Sequence, residues 1–244
     1  MKAVAIIPAR LESTRLPRKV LRELAGKPML AHVYEAARQA SGLAEVLVAT
    51  DSEEIAALAD ERGWSVRMTS SAHRSGTERV HEVAASLAAD VYLNVQGDEP
   101  LARPEHIAAL LAPFADPAVQ VATLKTPCSP ADVQNPNAVK VVTDSSGRAL
   151  YFSRAAIPFD RDAAGAARYF KHLGFYAYRK TALDRFAALP ESPLERSERL
   201  EQLRFLENGI PIHVVETPFD TIGVDTEEDL QRVERILAKR AVGK

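Results

Sequence analysis

Between Pro8 and Lys19 the sequence reads PARLESTRLPRK, which places Arg10, Arg15, Arg18 and Lys19 within ten residues and the hydroxyls of Ser13 and Thr14 among them. Guanidinium forks match phosphate oxygens in bidentate fashion, and lysine adds a mobile point charge. Hydroxyls and loop N–H groups can complete such a cradle. The pattern GxxxxGK[ST] is absent, and so is GxGxxG, so this is neither a Walker loop nor the dinucleotide fingerprint. A solvated surface loop is the plain alternative. Four like charges in one loop repel one another unless an anion relieves them, which favours a triphosphate or a similar ligand.

Carboxylates form a second set. Asp98 and Glu99 follow Gly97 in NVQGDEP, just past an apolar run, and Asp225 lies in TIGVDTEEDL. Hard oxygen donors suit Mg²⁺, which binds through one or two carboxylates plus substrate phosphates. Asp98 could equally be a turn residue bonding local amides. Around Asp225, Thr226 and Asp229 resemble a capping pair, and Glu227, Glu228 and Asp229 suit a first helical turn. For Asp225 itself the cap-side and metal-ligand readings stay level. Spacing alone does not bring Asp98 and Asp225 together, since 127 residues separate them. His32, His73, His81, His106 and His213 have no metal-ligand spacing, so no zinc site is expected.

The elements that must position these groups follow from periodicity. Ala3–Pro8, Glu45–Thr50 and Val91–Gln96 are short continuous apolar runs, which predict strands buried on both faces. Between them Met29, Val33, Ala36, Ala37 and Ala40 share one helical face, as do Ile55, Leu58 and Ala59, with Ser52 as a start and Gly63 as a stop. Alternating strand and helix predicts parallel pairing, with ligands outside the carboxyl ends of the strands. In the second half, 119–126, 138–143, 149–153 and 172–178 predict strands close enough together to be antiparallel additions. Helical patterns return at 199–208 and 226–239, the latter with Leu230, Val233, Ile236 and Leu237 on one face. The stretch 160–168, DRDAAGAAR, predicts an exposed loop or arm. No internal repeat or low-complexity linker interrupts the chain, so a single α/β domain over 1–244 with a small mixed subregion is expected.

Composition sets the limits. The chain has 244 residues, 46% hydrophobic and 26% charged, with a formal net charge of −2. That excludes a disordered or disulfide-scaffold class, and a nucleic-acid partner is not expected without a basic excess. Residues 1–30 nevertheless carry seven Lys/Arg against two Asp/Glu. Cys128 is the only cysteine, which rules out an intrachain disulfide, and its expected role is a small buried hydrophobe. The N-terminal apolar stretch is too short for a signal-peptide core, and no stretch approaches a membrane span. A cytoplasmic protein with no membrane partner is the expectation.

Ten segments taken together resemble the 3-deoxy-manno-octulosonate (Kdo) cytidylyltransferases. They are IPARLESTRLPRK (7–19), GKPML (26–30), VATD (48–51), HRSGTER (73–79), NVQGDEP (94–100), NPNAVK (135–140), YFSRAAIP (151–158), HLGFYAYR (172–179), LEQLR (200–204) and GVDTEEDL (223–230). Sugar nucleotidyltransferases share the first loosely; HRSGTER, NVQGDEP, HLGFYAYR and LEQLR in combination are far more specific. Arg18 departs from the family, which often has Gly before the lysine; it could alter the path of the loop or add a phosphate contact.

The resemblance implies a Rossmann-like nucleotidyltransferase fold: a mixed, mostly parallel sheet with flanking helices and a small mixed dimerisation subdomain, about 130–200. It implies a homodimer that joins CTP and Kdo into CMP-Kdo and pyrophosphate, for lipopolysaccharide biosynthesis. By motif, Arg10, Arg15 and Lys19 would hold the CTP phosphates with help from Ser13 and Thr14. Ser75 and Arg79 would line the nucleotide pocket, and Gln96 would lie between nucleotide and sugar. Arg154, His172, Tyr176, Glu201 and Gln202 would contact Kdo, and Asp98 and Asp225 would hold Mg²⁺. The catalytic set is then Arg10, Lys19, Asp98 and Asp225, with a second ion at the basic loop neutralising pyrophosphate. Without the motif, His172 on an apolar strand would read as a satisfied core histidine. Rival readings are a cytidylyltransferase for sialic acid, an 8-amino Kdo analogue or a polyol phosphate, and a non-catalytic nucleotide-sugar binder. A glycosyltransferase would want a DxD motif, which QGDEP is not.

Overall fold

Strand β1 (Ala3–Ala9) explains its own position: Ala3 to Ile7 have no exposed surface, so the run can exist only with a neighbour on each side. The computed structural model describes residues 1–13, 15–162, 165 and 167–242. After β1 come the short pair β2 (Glu23–Leu24) and β3 (Lys27–Pro28), then α1 (Met29–Gln39), β4 (Leu43–Thr50) and α2 (Glu53–Glu61). β5 (Ser65–Met68), α3 (Gly76–Ser86), β6 (Val91–Asn94) and α4 (Pro104–Leu111) follow. The next stretch holds β7 (Val121–Pro127), α5 (Pro130–Val133), β8 (Lys140–Thr143), β9 (Ala149–Ser153) and β10 (Phe170–Tyr178). Then come α6 (Lys180–Ala188), α7 (Pro193–Glu198), α8 (Leu203–Glu207), β11 (Ile212–Glu216) and α9 (Glu227–Val242).

The chain forms two compact units, one of Met1–Ala108 with Thr221–Lys244, the other of Ala109–Asp220. In the first, β1 pairs in parallel with both β4 and β6, with Ile6 opposite Leu47 on one side and Asn94 on the other. β5 adds in parallel to β4. Ser52 caps α2 by accepting the Ile55 N–H at 3.4 Å, as the sequence predicts. The predicted apolar face of α9 is used: Leu230 and Val233 join Leu16, Leu24, Met29, Leu101 and Val224 in one cluster, with Ile236 and Leu237 packed against it.

The second unit is antiparallel where expected. β10 runs antiparallel to β7 and β8, and β8 to β9, while β11 is parallel to β7. The register of β10 slips between Leu173 and Tyr176, which lie opposite Leu124 and Thr123. The helix expected over 199–208 is shorter, α8 covering only Leu203–Glu207, and α7, at Pro193–Glu198, precedes it. Arg199, the cap of α7, has a left-handed φ of 55°, and the chain turns through Glu201 and Gln202 before α8 begins. The mixed α/β architecture and mostly parallel pairing agree with the sequence reading. Cys128 differs from it, being partly exposed. Of the expected arm at 160–168, Ala163, Ala164 and Ala166 lie outside the described residues. Among the described residues no helix is long and apolar enough to cross a membrane.

Candidate active site

The basic loop leaves the end of β1 and is anchored by its apolar members. Leu16 and Val20 are buried, Leu16 within the α9 cluster, so the cations between them are held at the surface by a fixed backbone. Lys19 opens a short 3-10 turn, Lys19–Leu21, and points its ammonium at two carboxylates. Nζ donates to Asp98 Oδ2 at 2.6 Å and to Asp225 Oδ1 at 2.9 Å. Arg15 Nη2 pairs with the other Asp225 oxygen at 2.9 Å. Arg10 is exposed beside them, and Thr14 lies outside the described residues. Arg18 has φ 56°, the left-handed region that favours glycine. That is where the family often places Gly, and the guanidinium goes to Glu54.

The electrostatics follow from this geometry. Burial opposes the charge on Lys19, but Asp98 and Asp225 outweigh it and hold its pKa above the usual lysine value. Burial likewise works against the Asp225 carboxylate; Lys19 and then Arg15 overcome it and hold its pKa below the usual range. Lys19 and Asp225 are therefore both charged near neutral pH.

Asp98 arrives by way of Gly97, where no other residue fits: a Cβ there would stand 2.9 Å from the Pro8 carbonyl oxygen. Asp225 arrives from the segment ahead of α9, whose Val224 N–H donates to the Asp98 carbonyl at 2.9 Å. The predicted cap is present, with the Asp229 N–H donating to Thr226 Oγ1 at 3.2 Å. Two carboxylates distant in sequence thus converge on one cation, the Lys19 ammonium. Among the described residues no group of three or more His, Cys, Asp or Glu is gathered. A pair of hard carboxylates beside a phosphate-type loop is the donor set that Mg²⁺ uses, so these residues fit the ion.

Arg10, Ser13, Lys19, Ser75, Arg79, Gln96 and Asp98 line one cleft of about 160 Å³. Ser75 caps α3, its Oγ accepting the Glu78 N–H at 3.3 Å, so a helix N-terminus faces the cleft. Gly76 lies against the Gln96 amide, where a Cβ would approach Nε2 to 3.2 Å. Arg79 is buried, tied to Asp51 at 3.2 Å and to Thr69, which makes it a wall of the cleft more than a free donor. The Gln96 amide donates to buried Asn94 at 3.0 Å. Sequence reasoning missed Asp51, Asn94 and His73, which lines the cleft and pairs with Glu82. The VATD, NVQGDEP and HRSGTER segments that contain them were the available signal.

The five residues matched to sugar contacts all lie in the second unit. Thr123 Oγ1 donates to the Phe175 carbonyl at 2.7 Å inside the β10 irregularity, so it must accept from His172 Nε2, 3.0 Å away. His172 packs between Phe152 and Tyr176, with ring centroids 5.0 and 5.4 Å away. Desolvation drives its pKa from 6.5 to about 3 even though the residue keeps some exposure, and the imidazole stays neutral. Burial pushes the Tyr176 phenol well above its usual value, with the neighbouring Thr123 hydroxyl acting against it, and the phenol makes no hydrogen bond of good geometry among the described residues. The same holds for Gln202 Nε2, beside Glu201 in the turn before α8. The Arg154 guanidinium donates to the carbonyls of Glu198, Pro136 and Arg199 at 2.7, 2.9 and 3.4 Å. These acceptors fix its plane without neutralising its charge.

Comparison with known proteins adds to this picture. A cytidylyltransferase family model matches residues 4–216. The 3-deoxy-manno-octulosonate cytidylyltransferase of Koribacter versatilis (strain Ellin345) is 68% identical over 98% of this chain and 92% of its own length. That of Acidobacterium capsulatum is 62% identical over 98% of both chains. A solved structure of CMP:2-keto-3-deoxy-manno-octonic acid synthetase complexed with CTP superposes with a TM-score of 0.94. It is 46% identical and covered over its whole length, matching 98% of this chain.

Proposed function

This chain belongs to the 3-deoxy-manno-octulosonate cytidylyltransferase family, and from that premise we propose how its residues make CMP-Kdo and pyrophosphate from CTP and Kdo. The anomeric 2-hydroxyl oxygen of Kdo attacks the α-phosphorus of CTP in line. A new O–P bond forms, the bond to the β-phosphate breaks, and the hydroxyl proton is lost toward the carboxylates. The protein forms no covalent bond, so positioning and electrostatics supply the acceleration.

The observation that carries the reading is the meeting of Asp98 and Asp225 on Lys19. Arg15 and Lys19 neutralise these carboxylates while no nucleotide is bound. An arriving triphosphate offers both cations a stronger partner, and with Arg10, Ser13 and Thr14 they turn to its oxygens. Asp98 and Asp225, released from that pairing, hold Mg²⁺. When bound there the ion supplies charge withdrawal from phosphate oxygens and a lower pKa for the attacking hydroxyl. Ser75, Arg79 and Gln96 shape the nucleotide cleft. For the sugar, Arg154 takes the carboxylate, while His172, Tyr176, Glu201 and Gln202 supply mixed donors and acceptors for hydroxyls. The reading includes a cytoplasmic homodimer that feeds lipopolysaccharide synthesis, without a nucleic-acid or membrane partner.

Pyrophosphate release measured with CTP, UTP and ATP, each with Kdo, its 8-amino analogue and sialic acid, tests the assignment. Release should require CTP and be fastest with Kdo. No release with any pair would leave a nucleotide-sugar binder.

A further inference from the structure

The segment that delivers Asp225 has no regular structure of its own, since residues 221–225 precede α9 as open chain. Its place is set by the packing of Ile222 and Val224 on the α9 cluster and by polar ties. Arg15 and Lys19 hold the Asp225 carboxylate, and both are assigned above to the triphosphate, so these ties loosen when nucleotide binds. The Val224 N–H bond to the Asp98 carbonyl persists, as do the burial of Val224 in the α9 cluster and the 3.2 Å bond from the Asp225 N–H to Asp229 Oδ2, which tie the segment to α9. Glu99 adds a side-chain tie from the Asp98 side. Its Oε2 accepts from Thr221 Oγ1 at 2.7 Å, and Thr221 is only 2% exposed. Its Oε1 lies over Gly223, where an added Cβ would stand 3.3 Å away. The two contacts grip the 221–225 segment at both of its alternate residues ahead of Asp225, from the residue next to Asp98.

We propose that Glu99 is a positioning residue that clamps the Asp98 and Asp225 segments together, so that both carboxylates keep one divalent-ion geometry after Arg15 and Lys19 turn to the triphosphate. The proposal rests on the reading of Asp98 and Asp225 as the Mg²⁺ carboxylates. Glu99 acts through its hydrogen bond to Thr221 and not as a ligand, which separates its two possible roles chemically. A glutamine keeps the acceptor oxygen for Thr221 and loses the charge that a ligand needs.

The test uses the full chain with one equivalent of CTP, titrated with Mn²⁺ and followed by the electron paramagnetic resonance of the free ion, against CTP alone. Glu99→Ala and Thr221→Val should each weaken Mn²⁺ binding by roughly 10–100-fold, the usual effect of losing an outer-shell partner. Glu99→Gln should stay within about 3-fold of the parent, and metal-free CTP affinity should stay at the parent level in all three. Gly223→Ala, which displaces Glu99 without touching its charge, should fall with the first two. Should Glu99→Ala fail to fold, Thr221→Val carries the same prediction. Parent-like Mn²⁺ binding in Thr221→Val overturns the clamp. So does a Glu99→Gln loss as large as that of Glu99→Ala, which would make Glu99 a ligand. Asp98→Asn is the separate control: if it keeps Mn²⁺ affinity, the metal reading has failed whatever Glu99 does.

Discussion

The residues proposed for the nucleotide and those proposed for the sugar present opposite electrostatic settings. In the first unit the chemistry is carried by full charges that are already paired: Lys19 with Asp98 and Asp225, Arg15 with Asp225, and Arg79 with Asp51. In the second it is carried mostly by neutral groups in an aromatic setting, where His172 is kept uncharged and Tyr176 and Gln202 retain buried atoms without partners. A triphosphate is strongly charged and can compete for these cations, and their pairing with carboxylates keeps the loop from repelling itself. A sugar acid offers one carboxylate, proposed above for Arg154, and otherwise hydroxyls, which bind well to fixed polar groups that the protein itself leaves unpaired. On the proposed reading, one side would exchange its partners on binding and the other would gain them.

The largest expected effect tests the nucleotide side. Asp98→Asn removes a carboxylate from Lys19 and from the proposed ion site while leaving the phosphate cations in place. It should lower kcat by on the order of 10²-fold or more and change the CTP dissociation constant little. Steady-state kinetics at saturating Mg²⁺ with a direct CTP titration decide it. Near-normal turnover would mean that the carboxylates only neutralise the loop.

A smaller effect tests the sugar side through pH. His172 titrates at 6.5 in an unfolded chain and at about 3 in the fold. Between those values the unfolded state binds the extra proton, so the stability this neutral imidazole allows is complete above 6.5 and lost as pH falls toward 3. The slope approaches about 1.4 kcal/mol per pH unit well below 6.5. His172→Gln has no such group. Urea midpoints for the two proteins at pH 7, 5.5 and 4.5 should therefore draw together as the medium becomes acidic. Parallel curves would mean that water reaches the ring.

Much of both regions was legible in the sequence, for different reasons. β1, β4 and β6 are short continuous apolar runs that read as buried strands, and the density of cations in 8–19 announces an anion. The loop anchor Leu16 and the convergence of Asp98 with Asp225 were not legible from spacing, because long-range packing sets them. β5 and β11 were missed because each is short and mixed in polarity, Ser65–Met68 being largely exposed. The six-residue α7 was missed as too short to show a helical period, and the turn at 199–202 was read as helix because RLEQ carries no glycine or proline to mark it. Two arginines, Arg18 and Arg199, take left-handed backbone that costs about 1 kcal/mol or more for a side-chain-bearing residue. Only at Arg18 did a family preference for Gly hint at it.

Tyr176→Phe gives the smallest effect and the sharpest division between the two regions. The phenol oxygen is buried, and the Thr123 hydroxyl beside it gives it no hydrogen bond of good geometry; an unsatisfied buried atom costs about 1–3 kcal/mol of desolvation. Deleting it leaves the ring stacked on Tyr178, whose centroid is 5.8 Å away, so packing is preserved. The variant should be more stable than the parent by about 1 kcal/mol, seen as a higher urea midpoint. It should also show a KM for Kdo raised roughly 5–10-fold, the worth of one hydrogen bond, with KM for CTP unchanged. Stability and sugar affinity would then move in opposite directions, the mark of a group held unsatisfied for a ligand. If the variant instead lost stability and sugar affinity together, the hydroxyl would already have a partner within the fold. Tyr176 would then behave as Arg15 and Lys19 do, and the contrast between the two regions would fail at the residue that states it most plainly.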